Sequence, residues 1–274
     1  MNTSSSDRPI GAFDSGVGGL TVVQAMRELL PSEDILYLGD TARVPYGNKS
    51  PETIVRYSRE NMAYLRGHGV KAVVVACNTA SAHALALLQK EADIPVIGVI
   101  APGVAAALAA TRNRRVGIIG TQGTIRSEAY QDLLRQFEPE LVITAVATPL
   151  LVSLVEEDWL SHPATHLILE EYLAPMKAAR VDTVVLACTH YPLLKPLAQR
   201  ILGPEVVLVD SAQNAASALA GTLKTLALER SFPAGKGKIT ICTTDLPAQF
   251  ARLVERFLGE KTGTINRVSL ESIS

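Results

Sequence analysis

Val73-Val74-Val75 and Val184-Val185-Leu186 are apolar at successive positions, so both faces of any strand they form must be covered. Strands of that kind lie inside a parallel sheet flanked by helices. Further short β-branched runs recur at 9–13, 34–38, 71–76, 95–99, 115–119, 141–146, 182–187, 206–209 and 237–242. Helical patterns separate them, with starts expected near Gly19, Pro51, Ser81, Gly103, Ser127, Pro163, Leu194 and Gln213 and a last helix over 246–258. The alternation predicts an α/β chain built on parallel sheets. The first seven residues are polar and are expected to fray.

The two valine-rich runs continue alike, into Ala-Cys-Asn-Thr at 76–79 and Ala-Cys-Thr-His at 187–190. A second pair of segments, IGAFDSG at 10–16 and VGIIGTQG at 116–123, precedes them at similar separations. Matching order and spacing imply an internal duplication: two similar parallel-sheet α/β domains related by a pseudo-two-fold axis. Ligands of such sheets bind beyond the carboxyl ends of the strands. Asp14, Cys77, Thr121 and Cys188 all fall at such ends, which places the expected site in the cleft between the domains. Pro102-Gly103 and Asp210-Ser211 occupy equivalent places in the two halves. They suggest one domain of residues 1–101 plus 212–274 and a second of 102–211.

Composition removes several classes of function. In 274 residues, 47% are hydrophobic and 19% charged, enough apolar matter for a large core. A net charge of −1 without long runs of one sign argues against nucleic-acid and membrane-surface partners. No apolar run approaches ~18 residues, so no membrane span is expected. The N-terminal MNTSSSDRPI lacks the basic and apolar regions of an export signal. Three cysteines make no disulfide framework, so a reducing cytoplasm is the expected compartment. Cys77 with Cys188-x-His190 is a poor ligand set for zinc and lacks paired spacing, so no metal is expected.

Cys77 and Cys188 each end a strand and precede residues suited to a helix start, where positive partial charge favours a thiolate. One thiol in each of two facing domains suits inversion at a carbon centre, one group removing a proton from one face and the other delivering one to the opposite face. His190 is placed to assist the neighbouring thiol. In GAFDSGVGGL (11–20), Asp14 offers a carboxylate in the cleft, and Gly16, Gly18 and Gly19 offer a loop whose amides could meet an anion. In YLGDTARVPYG (37–47), Asp40 ends a strand and Pro45-Tyr46-Gly47 is turn chemistry that could present amides to a carboxylate. By sequence alone, Glu156 and Glu157 read as a solvated helix face, and Cys242 reads as core. The rival reading, a binding protein with two α/β domains around a cleft, predicts an export signal and gives no reason for the paired cysteines.

The segments FDSGVGGLTV, YLGDTARVPYG, ACNTASA, PLLVSLVE and ACTHYPLL, in that order, resemble the glutamate racemase family of cofactor-independent amino-acid racemases. The resemblance extends over essentially the whole chain. It implies that Cys77 and Cys188 are the two catalytic thiols, assisted by Asp14 and His190, with Asp40 and Glu156 as further polar support. It implies substrate contacts from Asp14-Ser15, Asp40, Pro45-Tyr46-Gly47, Asn78-Thr79, Thr121 and Thr189-His190. It also implies glutamate as substrate, no cofactor or metal, a homodimer, and a role in supplying D-glutamate for peptidoglycan. Aspartate racemases, with the same thiol pair and a different pocket, are the nearest alternative. One departure is visible: Thr148-Pro149 stands where many members have Cys-Pro, and Ser153 where proline is frequent.

Overall fold

The structure is a computed structural model that describes residues 5–230, 235–248, 250–259 and 264–270. The chain begins with β1 (Ile10–Asp14), α1 (Leu20–Leu29), β2 (Ile35–Gly39), α2 (Pro51–Gly67), β3 (Ala72–Val75), α3 (Asn78–Glu91) and β4 (Val96–Gly98). Helix α4 (Ile100–Ala110) leads into a second series: β5 (Arg115–Gly120), α5 (Gln122–Arg126), α6 (Ala129–Phe137) and β6 (Val142–Ala147). There follow α7 (Leu151–Glu156), α8 (Pro163–Ala178), β7 (Thr183–Ala187), α9 (Lys195–Leu202) and β8 (Val207–Asp210). Helix α10 (Ser211–Thr225) precedes β9 (Ile239–Thr243), α11 (Phe250–Leu258) and β10 (Ile265–Arg267).

Every described strand pairing is parallel. One sheet has the order β10-β9-β2-β1-β3-β4 and the other β6-β5-β7-β8. The run β2-β1-β3-β4 is therefore repeated as β6-β5-β7-β8, with β1 matching β5 and β3 matching β7. The duplication read from the sequence is present in the strand order. The central strands β1, β2, β3 and β7 are buried at every residue, as their unbroken apolar runs require. Strand β6, at a sheet edge, is half-exposed along most of its length. Strand β10 was not expected from the sequence. Its three residues carry too short a pattern to register.

Local chemistry sets the helix starts. Ser50 caps α2, its hydroxyl accepting from Thr53 N at 3.4 Å, with Pro51 in the first turn. Helix α3 starts at Asn78 rather than near Ser81, because the Cys77 sulfur itself accepts from Ala80 N at 3.4 Å. Residues 5–7 depart from the frayed terminus expected for them. They form a 3-10 turn, and the Ser6 carbonyl accepts from Lys71 Nζ at 2.6 Å. Residues 1–4 lie outside the described residues.

That lysine belongs to a buried pair. Lys71 Nζ meets Glu33 Oε2 at 2.6 Å, and Glu33 Oε1 accepts from Arg230 N at 3.0 Å. The pair ties the starts of β2 and β3 to the segment after α10, at the end of the sheet opposite Asp14 and Cys77. Removing one partner leaves the other charge buried and unpaired, which costs about 3–5 kcal/mol. Lys71→Met is therefore expected to lower the unfolding free energy by about that amount in urea titration. Because the pair is remote from the strand ends that carry the thiols, turnover should be unchanged.

Candidate active site

The carboxyl ends of β1, β3, β5 and β7 face one another across a small cavity of about 30 Å3. Ser15, Tyr46, Gly47, Cys77, Asn78, Thr79, Thr121, Cys188, Thr189 and His190 line it, with Pro45, Val44, Val152 and Ala187 completing the wall. Its size suits a water molecule or two rather than an amino acid, so the halves must part to admit anything larger. A larger open groove of about 790 Å3 runs along α2 and α3, but no cysteine or histidine lines it. Volume alone does not mark the chemistry here.

Both thiols are buried, each 6% exposed, and they face the cavity from equivalent strands. Their surroundings differ. Cys77 lies at the start of α3 with Ser15 Oγ at 3.9 Å. Cys188 is followed by a turn and a 3-10 segment, Tyr191–Leu194, rather than the α-helix start that the sequence suggested. Its sulfur lies 3.9 Å from His190 Nδ1, and His190 Nε2 meets Glu156 Oε1 at 2.8 Å. Glu156, read from sequence alone as a solvated face, is thus half-buried at the end of α7 and bound to the histidine, while Glu157 is exposed.

The thiol acidity expected from a helix N-terminus is not met at Cys77. Burial, and then the neighbouring Asp14 carboxylate, push its pKa up to about 12; the Ala80 amide and Ser15 pull it down and are outweighed. Burial also raises Asp14, against the opposing pull of His190, Gly16 N, Thr189 and Ser15. Burial by itself lowers His190, but its bonds to Cys188 and Glu156 prevail and raise it to about 10. At neutral pH the site therefore holds a protonated Cys77 on one wall and an imidazolium beside Cys188 on the other.

Asp14 is 1% exposed and stands behind the wall. Gly16 N and Ser15 Oγ donate to its Oδ1 at 2.9 and 3.3 Å, and Thr189 Oγ1 reaches across from the other half to Oδ2 at 3.2 Å. The glycine loop after it does not line the cavity, contrary to the expected anion cradle. Its glycines permit close packing: a Cβ on Gly18 would lie 2.4 Å from Thr189 Oγ1 and 2.5 Å from His190 Nδ1, and one on Gly19 2.5 Å from Asp14 Cβ. Asp40 is likewise one layer back and makes no wall. It accepts from the Tyr46 hydroxyl, from Arg43 Nε at 2.7 Å and from Thr244 Oγ1 at 3.0 Å, and so fixes the tyrosine that does line the cavity.

Thr79, Thr121 and Thr124 close the opposite side, their hydroxyls 2.9 to 3.1 Å apart. Thr124 was missed in the sequence. Its signal is Thr121-x-x-Thr124, a helix cap in which Thr124 N donates to Thr121 Oγ1 at 3.3 Å. Thr148, which departs from the family pattern, is fully buried; the Tyr191 hydroxyl meets its Oγ1 at 2.6 Å. Cys242 is buried in β9 and does not line the cavity. Among the described residues no group of three or more His, Cys, Asp or Glu side chains could hold a metal ion, and no helix is long and apolar enough to cross a membrane.

Comparison with known proteins gives consistent matches. Residues 19–219 match the model of the Asp/Glu/Hydantoin racemase family. The chain is 50% identical over 265 residues to a glutamate racemase of Geobacter metallireducens, covering 97% of this chain and 98% of that protein. The crystal structure of glutamate racemase isoform RacE1 from Bacillus anthracis superposes with a TM-score of 0.92 at 37% identity, covering 97% of this chain and 98% of that one. Glutamate racemase from Francisella tularensis in complex with D-glutamate superposes with a TM-score of 0.91 at 37% identity, covering 98% of this chain and all of the other.

A histidine whose folded pKa exceeds its unfolded value of ~6.5 adds stability that is fully present below that value and lost as pH rises through about 10. Glu156→Gln removes one of the two groups that hold the imidazolium. In an NMR titration of the ring, the His190 pKa is expected to fall from about 10 toward ~6.5, and the alkaline loss of stability to begin at lower pH. An unchanged titration would remove Glu156 from this role.

Proposed function

The chain belongs to the Asp/Glu/Hydantoin racemase family and is an enzyme of the racemase class, and from that premise we propose that it interconverts L- and D-glutamate by proton transfer between two thiols. The observation that carries the proposal is the pair of buried cysteines at equivalent strand ends, facing one closed cavity. The substrate of the named relatives, and the D-glutamate in one of them, supply glutamate as the amino acid.

In this reading Cys77 meets one face of the substrate α-carbon and Cys188 the other. The two thiols have the unlike neighbours that inversion needs: burial and Asp14 hold Cys77 protonated, and the His190 imidazolium lies 3.9 Å from the Cys188 sulfur. Cys188 removes the α-proton and Cys77 delivers its own to the opposite face. The protonation states are then exchanged, and solvent resets them. The reverse direction uses the exchanged state, which a substrate ammonium near Asp14 favours by offsetting the carboxylate that holds Cys77 protonated.

The α-proton of an amino acid is a very weak acid, and the reading gives the enzyme no cofactor to accept the electrons. Carbanion character must be met by fixed donors in a site closed to water. Ser15, Asn78, Thr79, Thr121, Thr189 and the backbone at Tyr46-Gly47 are assigned to the carboxylates and the ammonium. Asp14 and His190 assist the thiols directly, Glu156 acts through His190, and Asp40 through Tyr46. The reading includes the halves 1–101 plus 212–274 and 102–211 as the closing domains, a homodimer in the cytoplasm, and D-glutamate supply for peptidoglycan.

The test is incubation in D2O with L-glutamate, D-glutamate and L-aspartate separately, without added cofactor, following optical rotation and α-deuterium together. Racemisation of glutamate with deuterium in the inverted product is expected. Racemisation of aspartate alone would keep the chemistry and overturn the substrate; no exchange with any of them would overturn the reading. Cys77→Ser and Cys188→Ser should each lower racemisation by about a thousandfold, and Cys242→Ser should leave it near wild type.

A further inference from the structure

We propose that Tyr130 is a positioning residue for substrate binding, acting across the two halves by fixing the orientation of the Asn78 amide. The proposal rests on the reading of Asn78 as a contact to a substrate carboxylate.

Tyr130 lies on α6, in the second series of elements, and is fully buried. Its hydroxyl donates to Asn78 Oδ1 at 2.7 Å. Asn78 opens α3, directly follows Cys77, and lines the cavity. A primary amide has one edge that accepts and one that donates. With Oδ1 held by Tyr130, the donating edge is the one left over. Nδ2 lies 3.5 Å from Ser211 Oγ, at the limit of bonding, so its hydrogens remain largely available to a ligand. A carboxylate needs that edge. Turned over, the same amide would present a carbonyl oxygen and repel it. Burial raises the Tyr130 pKa, so its hydroxyl stays a donor throughout the working pH range.

Tyr130 also adjoins both places where the chain passes between the halves, its ring at Gly103 and its hydroxyl at Ser211. A Cβ built on Gly103 of α4 would lie 3.3 Å from the ring carbon Cε1 and 3.3 Å from the hydroxyl. Ser211, the first residue of α10, sits beside the Asn78 amide. One side chain thus contacts the two crossovers and sets the donor that a substrate carboxylate would meet. Any change in the relative setting of the halves shifts this hydroxyl against Asn78. Closure and carboxylate recognition are thereby coupled through one hydrogen bond.

Tyr130→Phe keeps the ring and removes the hydroxyl. KM for glutamate is expected to rise about tenfold in both directions, with kcat within about threefold of wild type. In an Asn78→Ala background the same change should add little to KM, since the residue acts on the substrate through Asn78. A crystal structure of Tyr130→Phe should show the Asn78 amide turned or displaced. Asn78→Asp keeps the acceptor for Tyr130 but places an oxygen where the amide group was, so it should bind glutamate more weakly than Asn78→Ala. The proposal is overturned by a fall in kcat at unchanged KM, by an equal effect of Tyr130→Phe in the Asn78→Ala background, by an Asn78 that keeps its place in the Phe variant, or by Asn78→Asp binding as well as Asn78→Ala. A wild-type enzyme that turns over no glutamate would sink the glutamate reading by itself, and the position of Asn78 in the Phe variant would still decide this one.

Discussion

Gly18 and Gly47 let the two halves approach to a distance that a methyl group would forbid. An added Cβ would lie 2.4 Å from Thr189 Oγ1 at the first and 2.7 Å from Thr121 Cβ at the second. The rest of the site depends on that approach. It brings Thr189 within reach of Asp14, and it shrinks the space between four strand ends to a cavity with little room for water. Desolvation prevails at Asp14 and Cys77, so the closeness of the halves sets their electrostatics, whereas at His190 the bonds to Cys188 and Glu156 prevail over it. The glycine-rich stretch after β1 looked in the sequence like a cradle for an anion. In the fold its lack of side chains serves packing between halves.

A duplicated fold places its two thiols alike, yet the proposed inversion requires them to differ. The difference comes from neighbours that the duplication did not copy. Cys77 has a helix start and a buried carboxylate, and the carboxylate with burial outweighs the helix amide. Cys188 has a histidine two residues later, held from behind by Glu156. A partial charge at a helix end contributes of order 1 kcal/mol, while burial of a charge shifts equilibria by several times that. The helix end therefore loses at Cys77, which keeps its proton at neutral pH.

The sheets were legible because a parallel strand buried on both faces leaves an unbroken apolar run, as at Val73–Val75 and Val184–Leu186. The repeat was legible because both cysteines follow such runs. Relations that depend on a distant segment left no trace in local pattern. Glu156 beside Glu157 looks like a solvated acidic pair, and only the arrival of His190 gives it a partner. Asp40 ends a strand just as Asp14 does, but Tyr46 and Arg43 fold back over it and take it out of the wall. Tyr130 belongs to none of the sequence motifs, and its hydroxyl acquires meaning only when α3 of the other half is beside it. Residues 5–7 were misread for the same reason, since Lys71 lies far along the chain.

The cavity is too small for an amino acid, so the energetics of opening matter, and the two sides of the cleft are unequal. On the side of α1 and α10 the halves share a continuous apolar cluster that includes Leu20, Val22, Leu186, Cys188, Tyr191 and Leu219. Separating it would expose apolar surface at about 25 cal/mol per Å2. On the side of Tyr46–Asn48 and α5 the contact is Gly47 against Thr121, with Gly123 against Thr79 and three threonine hydroxyls bonded to one another. Those hydroxyls exchange their mutual bonds for bonds to water at little net cost. Opening along the threonine seam is therefore the cheaper motion.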